Sequence, residues 1–121
     1  MKELLLVSIG SFFGGGFRYL AGKGVALFAS AAYPWSTFAV NMAGCFLIGF
    51  LSSLFLSGSL SPSARLLLVT GFCGGFTTFS TFVNENLLLA RGGQLLWAVA
   101  YTVASIVLGM VSLLAGYKAG E

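Results

Sequence analysis

Four apolar runs, residues 4–28, 37–56, 64–90 and 95–117, occupy most of a 121-residue chain. Each reaches the about 20 residues that a helix needs to cross a bilayer. Charged residues make up 7% of the chain, far below the roughly 25% of soluble domains. A soluble fold would have to hide these runs in a core that so short a chain cannot build. The sequence therefore predicts an all-α membrane protein of four transmembrane helices, the form in which a single segment satisfies its own backbone in lipid.

The connections between the runs are short. Pro34, between Tyr33 and Trp35, ends the first helical region, and the two aromatic rings suit the membrane interface. Ser57-Gly58-Ser59 closes the second run, and Pro62 is placed as an early residue of the third helix. Arg91-Gly92-Gly93-Gln94 reads as a tight polar turn, Trp97 anchors the start of the fourth run and Lys118 its end. One domain, residues 1–121, is expected, with no linker. Met1-Lys2-Glu3 followed by apolar residues imitates a signal peptide, but no cleavage site follows, so the segment is expected to be retained.

With four spans, Lys2, Arg65 and Lys118 share one side of the membrane, and Lys23 and Arg91, with Arg18 where it reaches the interface, share the other. That difference is too small to fix an orientation firmly. A chain that inserts both ways can close into an antiparallel dual-topology dimer; a weak bias would insert it one way only. Gly44 and Gly49, with Ala43 and Ser52, permit close helix approach, within one bundle or between copies. The net charge of +3 is scattered, which argues against nucleic acid as a partner.

The third run carries the unusual chemistry. Residues 71–82 hold three glycines, four hydroxyl residues and four phenylalanines. Gly74-Gly75 predicts a break in the third helix, and non-helical backbone survives at membrane depth only beside protein or a water-filled cavity. Phe79 and Phe82 share a helical face, with Phe72 and Phe76 expected to continue the stripe. Thr77, Thr78, Ser80 and Thr81 interleave with them. Phenyl edges are positive, so ring edges and hydroxyls together offer an anion weak sites that release it again. The same stripe is also ordinary packing. Carbonyls released by Gly74-Gly75 suit a hard cation such as Na⁺.

Elsewhere, Asn41 is either a clamp on a neighbouring helix or a donor to an anion. Arg18 is expected to snorkel to the interface and Glu85 to sit at a mouth of the membrane region. Tyr101, Ser105 and Ser112 fall on one face of the fourth helix, as a polar track or as self-satisfied hydroxyls. There is no histidine, and Glu3, Glu85 and Glu121 form no carboxylate pair, so an enzyme is not expected. Cys45 and Cys73 read as free thiols within spans.

The run from Gly71 to Phe82, with Glu85 after it, resembles the signature of the CrcB/Fluc fluoride channel family. Val40-Asn41 followed by Gly44 and Gly49 resembles that family's second helix. Gly10 to Tyr19 resembles its glycine-rich first helix, with Ser11 and Gly15 as small-for-small departures. The resemblance implies passive, selective fluoride export through two pores of an antiparallel homodimer in a prokaryotic plasma membrane. It implies that Asn41 donates to fluoride, that Phe79 and Phe82 supply ring edges, and that Tyr101, Ser105 and Ser112 form the track. It also implies a central structural Na⁺ held by main-chain oxygens of Gly74 and Thr77 from both copies. Some members of the family pair two diverged chains; Asn41, Phe79 and Phe82 occurring together here favour a homodimer.

Two other readings compete. A small dual-topology multidrug exporter would share the size and helix number, but it needs an embedded carboxylate early in the first helix, where this chain has only Glu3. A non-conducting accessory subunit would explain the small residues but not the hydroxyl–phenyl ladder.

Overall fold

The computed structural model describes residues 1–30 and 32–121. The order is α1 (Lys2–Ala26), α2 (Trp35–Leu56), α3 (residues 62–76), α4 (Ser80–Arg91) and α5 (Leu95–Ala119). Helix α3 itself changes pitch: an α-turn at Pro62–Arg65, π-helical turns over Leu66–Cys73, and a closing α-turn at Gly74–Phe76. Among the described residues, α3 and α4 together make the third of four segments long and apolar enough to cross a membrane.

Local chemistry explains the ends. Ser61 Oγ accepts the Ala64 N–H at 3.1 Å and Pro62 occupies the first helical turn, as the sequence predicts. After α2, Gly58 takes a positive φ of 83°, and the Gly58 and Ser59 N–H groups return to the Phe55 and Leu54 carbonyls. Gly93 (φ 79°) closes α4 in the same way, with the Gly93 and Gln94 N–H groups on Ala90 and Leu89. Both are glycine-closed ends that reuse otherwise orphaned carbonyls. The Tyr33 and Trp97 rings stack 4.5 Å apart, tying the starts of α2 and α5 together.

Packing divides the bundle into two pairs: α1 lies chiefly against α3, and α2 chiefly against α5. In the first pair the backbones nearly touch. A methyl group on Gly75 would fall 2.7 Å from the Ser11 carbonyl oxygen, and one on Gly14 would run into the carbonyl of Phe72. Ser11 Oγ adds a hydrogen bond to the Gly71 carbonyl at 3.2 Å. In the second pair, methyl groups on Gly49 and Gly116 would collide with the Leu113 and Phe46 carbonyls. Small residues thus bring helices together where lipid gives no hydrophobic drive for association.

The break is displaced from its expected place. Gly74 and Gly75 are helical, and the chain leaves the helix at Thr77, whose φ and ψ are −88° and 159°. It becomes helical again at Ser80. Gly75 is needed for the approach of α1 rather than for a change of backbone direction, whereas a Cβ on Gly74 would meet nothing. The aromatic stripe is split as well. Phe72 and Phe76 stack with each other and Phe72 meets Phe17, whereas Phe79 and Phe82 pair with each other and Phe82 meets Tyr101. An extended residue between two helices rotates the second against the first, so helical spacing does not carry across it.

Candidate functional site

Asn41, in the second turn of α2, faces the break. Its Nδ2 donates to the Thr78 carbonyl at 3.0 Å, and its Oδ1 accepts the Thr78 N–H at 2.9 Å. This two-point bond holds the extended segment as a neighbouring strand would. Thr78 Oγ1 then donates to Thr81 Oγ1 at 3.1 Å and accepts the Thr81 N–H at 3.4 Å, capping the new helix. An amide nitrogen carries two hydrogens, and Thr78 takes one of them.

The diversion of these N–H groups has a second effect. In an unbroken helix the Thr78 N–H would bond the Gly74 carbonyl, and the Thr81 N–H the Thr77 carbonyl. Here those donors go to Asn41 and to the Thr78 hydroxyl. The Gly74 and Thr77 carbonyls therefore lose their helical donors, and open space surrounds the Cα of Gly74. Oxygen atoms are the ligand type that hard cations take. Among the described residues no cluster of three or more His, Cys, Asp or Glu side chains offers another kind of metal site.

A cavity of about 290 Å³ lies against this bond, lined by Asn41, Thr77, Thr78, Phe79, Phe82 and Ser105 together with Met42, Cys45, Ile48 and Ile106. Its two rings stand 6.0 Å apart, and Phe79 is 76% exposed in the single chain. A second cavity of about 330 Å³ lies on the other side of Thr78. Arg18, Tyr19, Thr37 and Thr81 line it with Gly15, Gly22, Ser36 and Val40. Thr78 lines both. Arg18 thus lines a cup formed by α1, α2 and the segment around the break.

Glu85 joins three helices: its Oε2 accepts from Thr37 Oγ1 at 2.9 Å and its Oε1 from the Tyr101 hydroxyl at 3.0 Å. It lies toward the end of the bundle where α2 and α5 begin. The fourth-helix residues differ among themselves. Tyr101 is bound to Glu85, Ser105 has a buried Oγ with no hydrogen-bond partner, and Ser112 Oγ donates weakly to Met42 Sδ at 3.8 Å. Ser80 is exposed and lines neither cavity described here.

Sequence reasoning missed Thr37, Cys45 and the pair Asn86–Thr102. Asn86 Nδ2 donates to the Phe82 carbonyl at 3.0 Å, and the Thr102 hydroxyl lies 2.9 Å from Asn86 Oδ1. Cys45 was legible, since 41, 45 and 48 share one helical face. Both cysteines are free, Cys73 fully buried and Cys45 half-buried.

Among the described residues, four apolar spans, a broken third span pinned by a carboxamide, and cavities beside the break define a small polytopic membrane protein. Residues 5–117 match the family model described as CrcB-like protein, Camphor Resistance (CrcB). The chain belongs to that family. It is 51% identical over 117 residues to the fluoride-specific ion channel FluC of Chlorobaculum tepidum, covering 96% of this chain and 92% of the relative. A FluC of Chlorobium phaeobacteroides is 50% identical over 120 residues (96% and 90%), and one of Bacteroides fragilis 45% over 124 residues (100% and 98%).

Proposed function

We propose that this chain is a fluoride channel of a bacterial plasma membrane, moving fluoride passively out of the cytoplasm; it is a transporter rather than an enzyme. The observation that carries the reading is the second N–H of Asn41, left over after the bond to Thr78, beside a cavity walled by Phe79, Phe82 and Ser105. Fluoride entering the Arg18 cup meets the Thr78 and Thr81 hydroxyls, passes Asn41, and runs between the positive ring edges toward Tyr101 and Glu85. Ser105, whose hydroxyl is unpartnered within the chain, is free to donate to it. Ser80 and Ser112 flank this route.

Two copies in antiparallel orientation give two such paths, and the exposed ring of Phe79 would be covered by the second copy. At the centre, Gly74 and Thr77 carbonyls from both copies would hold one Na⁺, which supplies a fixed positive charge and ties the copies together. A diverged second chain is the alternative partner.

Efflux from liposomes carrying the purified protein, read with a fluoride electrode, tests the reading. Fast fluoride loss without chloride loss or a pH gradient supports it. Fluoride movement only with a proton gradient would favour an exporter, and none from folded protein, alone or with candidate partners, an accessory subunit. Replacing Na⁺ by a larger cation should loosen the dimer in detergent; indifference of the dimer would remove the central cation site.

A further inference from the structure

We propose a second site, for an aminophospholipid: a tail in a groove between α2 and α5, with the head-group ammonium on Glu85, where the proposed fluoride path ends. The groove is about 330 Å³ and almost wholly apolar. Ala100, Ala104 and Leu108 line it along α5, successive positions four apart on one face, so it runs about 12 Å along the helix. Trp35 and Phe38 wall it from α2, and the stacked rings of Tyr33 and Trp97 stand at its upper end, where interfacial aromatics belong. Its length and apolarity suit the upper part of one acyl chain.

Any lipid would wet such a groove, but its neighbour makes it selective. A polar cavity of about 360 Å³ adjoins it across Tyr33, Pro34 and Leu89, which line both, and its other walls include Glu85 and Gln94. Glu85 is half-buried, and its two oxygens are met by the hydroxyls of Thr37 and Tyr101 rather than by a cation. Each carboxylate oxygen retains further acceptor capacity. A half-buried carboxylate met only by neutral donors favours a positive group beside it. A primary ammonium supplies both the charge and N–H donors, whereas a trimethylated head group supplies the charge without donors. The complement is therefore phosphatidylethanolamine, with its tail in the α2–α5 groove.

The test is native mass spectrometry of the intact protein released from micelles doped with phosphatidylethanolamine or with phosphatidylcholine of identical tails. Phosphatidylethanolamine is expected to be retained roughly fivefold more. Glu85→Gln should abolish that preference. Ala104→Phe, which fills the groove and leaves the carboxylate in place, should lower retention of both lipids. Equal retention of the two lipids by the unaltered protein overturns the proposal even if the Glu85 variant fails to fold. So does a preference that survives Glu85→Gln, or an Ala104→Phe variant that keeps its lipid but loses its partner subunit, since the groove would then be covered by another copy.

Discussion

The two halves of the third span are held by opposite means. Helix α3 is fixed by backbone against backbone: Gly10, Gly14, Gly71 and Gly75 let α1 and α3 meet with no side chain between them. Helix α4 is fixed by side chains reaching across space: Asn41 to Thr78, Thr37 and Tyr101 to Glu85, and Thr102 to Asn86. The first arrangement is rigid because nothing in it can rotate. The second leaves polar groups with spare bonding capacity beside cavities, which is what a site for a small ion requires.

The contrast is broken most severely on the α3 side. Gly14→Val should cost about 3 kcal/mol or more, because the added side chain meets the Phe72 carbonyl and neither helix can move aside. Loss of folded protein on purification, or a large drop in the denaturant midpoint in detergent, is the expected result. Gly15→Val, where a side chain meets open space in the single chain, separates crowding at the helix crossing from a general intolerance of bulk in α1.

On the α4 side, Asn41→Asp should be far less damaging to the fold and far more damaging to transport. The Asp keeps the acceptor for the Thr78 N–H but loses the donor to its carbonyl, at a cost of about 1–2 kcal/mol. It also removes the free N–H and sets a negative charge against an anion, so fluoride efflux should fall to the protein-free rate. Normal efflux in a folded Asn41→Asp protein would remove Asn41 from the path. Phe79→Ile should change the stability of the single chain by less than about 1 kcal/mol, since the ring is largely exposed there, yet slow efflux clearly. Unchanged efflux would return the ring to packing.

These differences track what could be read from the chain. Spans, the Pro62 start and the closures at Gly58 and Gly93 are local events, set by hydropathy and turn chemistry within a few residues, and all were legible. The position of the break was not. Gly74-Gly75 has the composition of a hinge, but what Gly75 does depends on where α1 lies, more than fifty residues away in sequence. The split of the phenylalanine stripe follows from the same error, because helical spacing was extended through Thr77. Asn41 was recognised as a clamp or a donor. Only its distance to Thr78 shows that the clamp engages one of its two hydrogens and leaves the other.

The smallest expected effect tests whether side-chain ties on α4 act singly or as a set. The Thr102 hydroxyl has one hydrogen and two acceptors at 2.9 Å, Asn86 Oδ1 and its own helix carbonyl at Ala98. If the hydrogen goes to Asn86, Thr102→Val removes a bond between α4 and α5, and leaves Asn86 Oδ1 unmet, at about 1 kcal/mol. If it goes to Ala98, the same substitution removes only a back-bond within α5 and should cost almost nothing. Thr102→Ser keeps the hydroxyl and is the control in either case. Asn86→Leu sharpens the result: when the α4–α5 bond exists, Thr102→Val costs nothing further in that background, and the two changes are non-additive by the energy of the bond. Additive losses would mean that Asn86 steadies only the Phe82 carbonyl on its own helix, so that α4 owes its place to Asn41 and Glu85 alone.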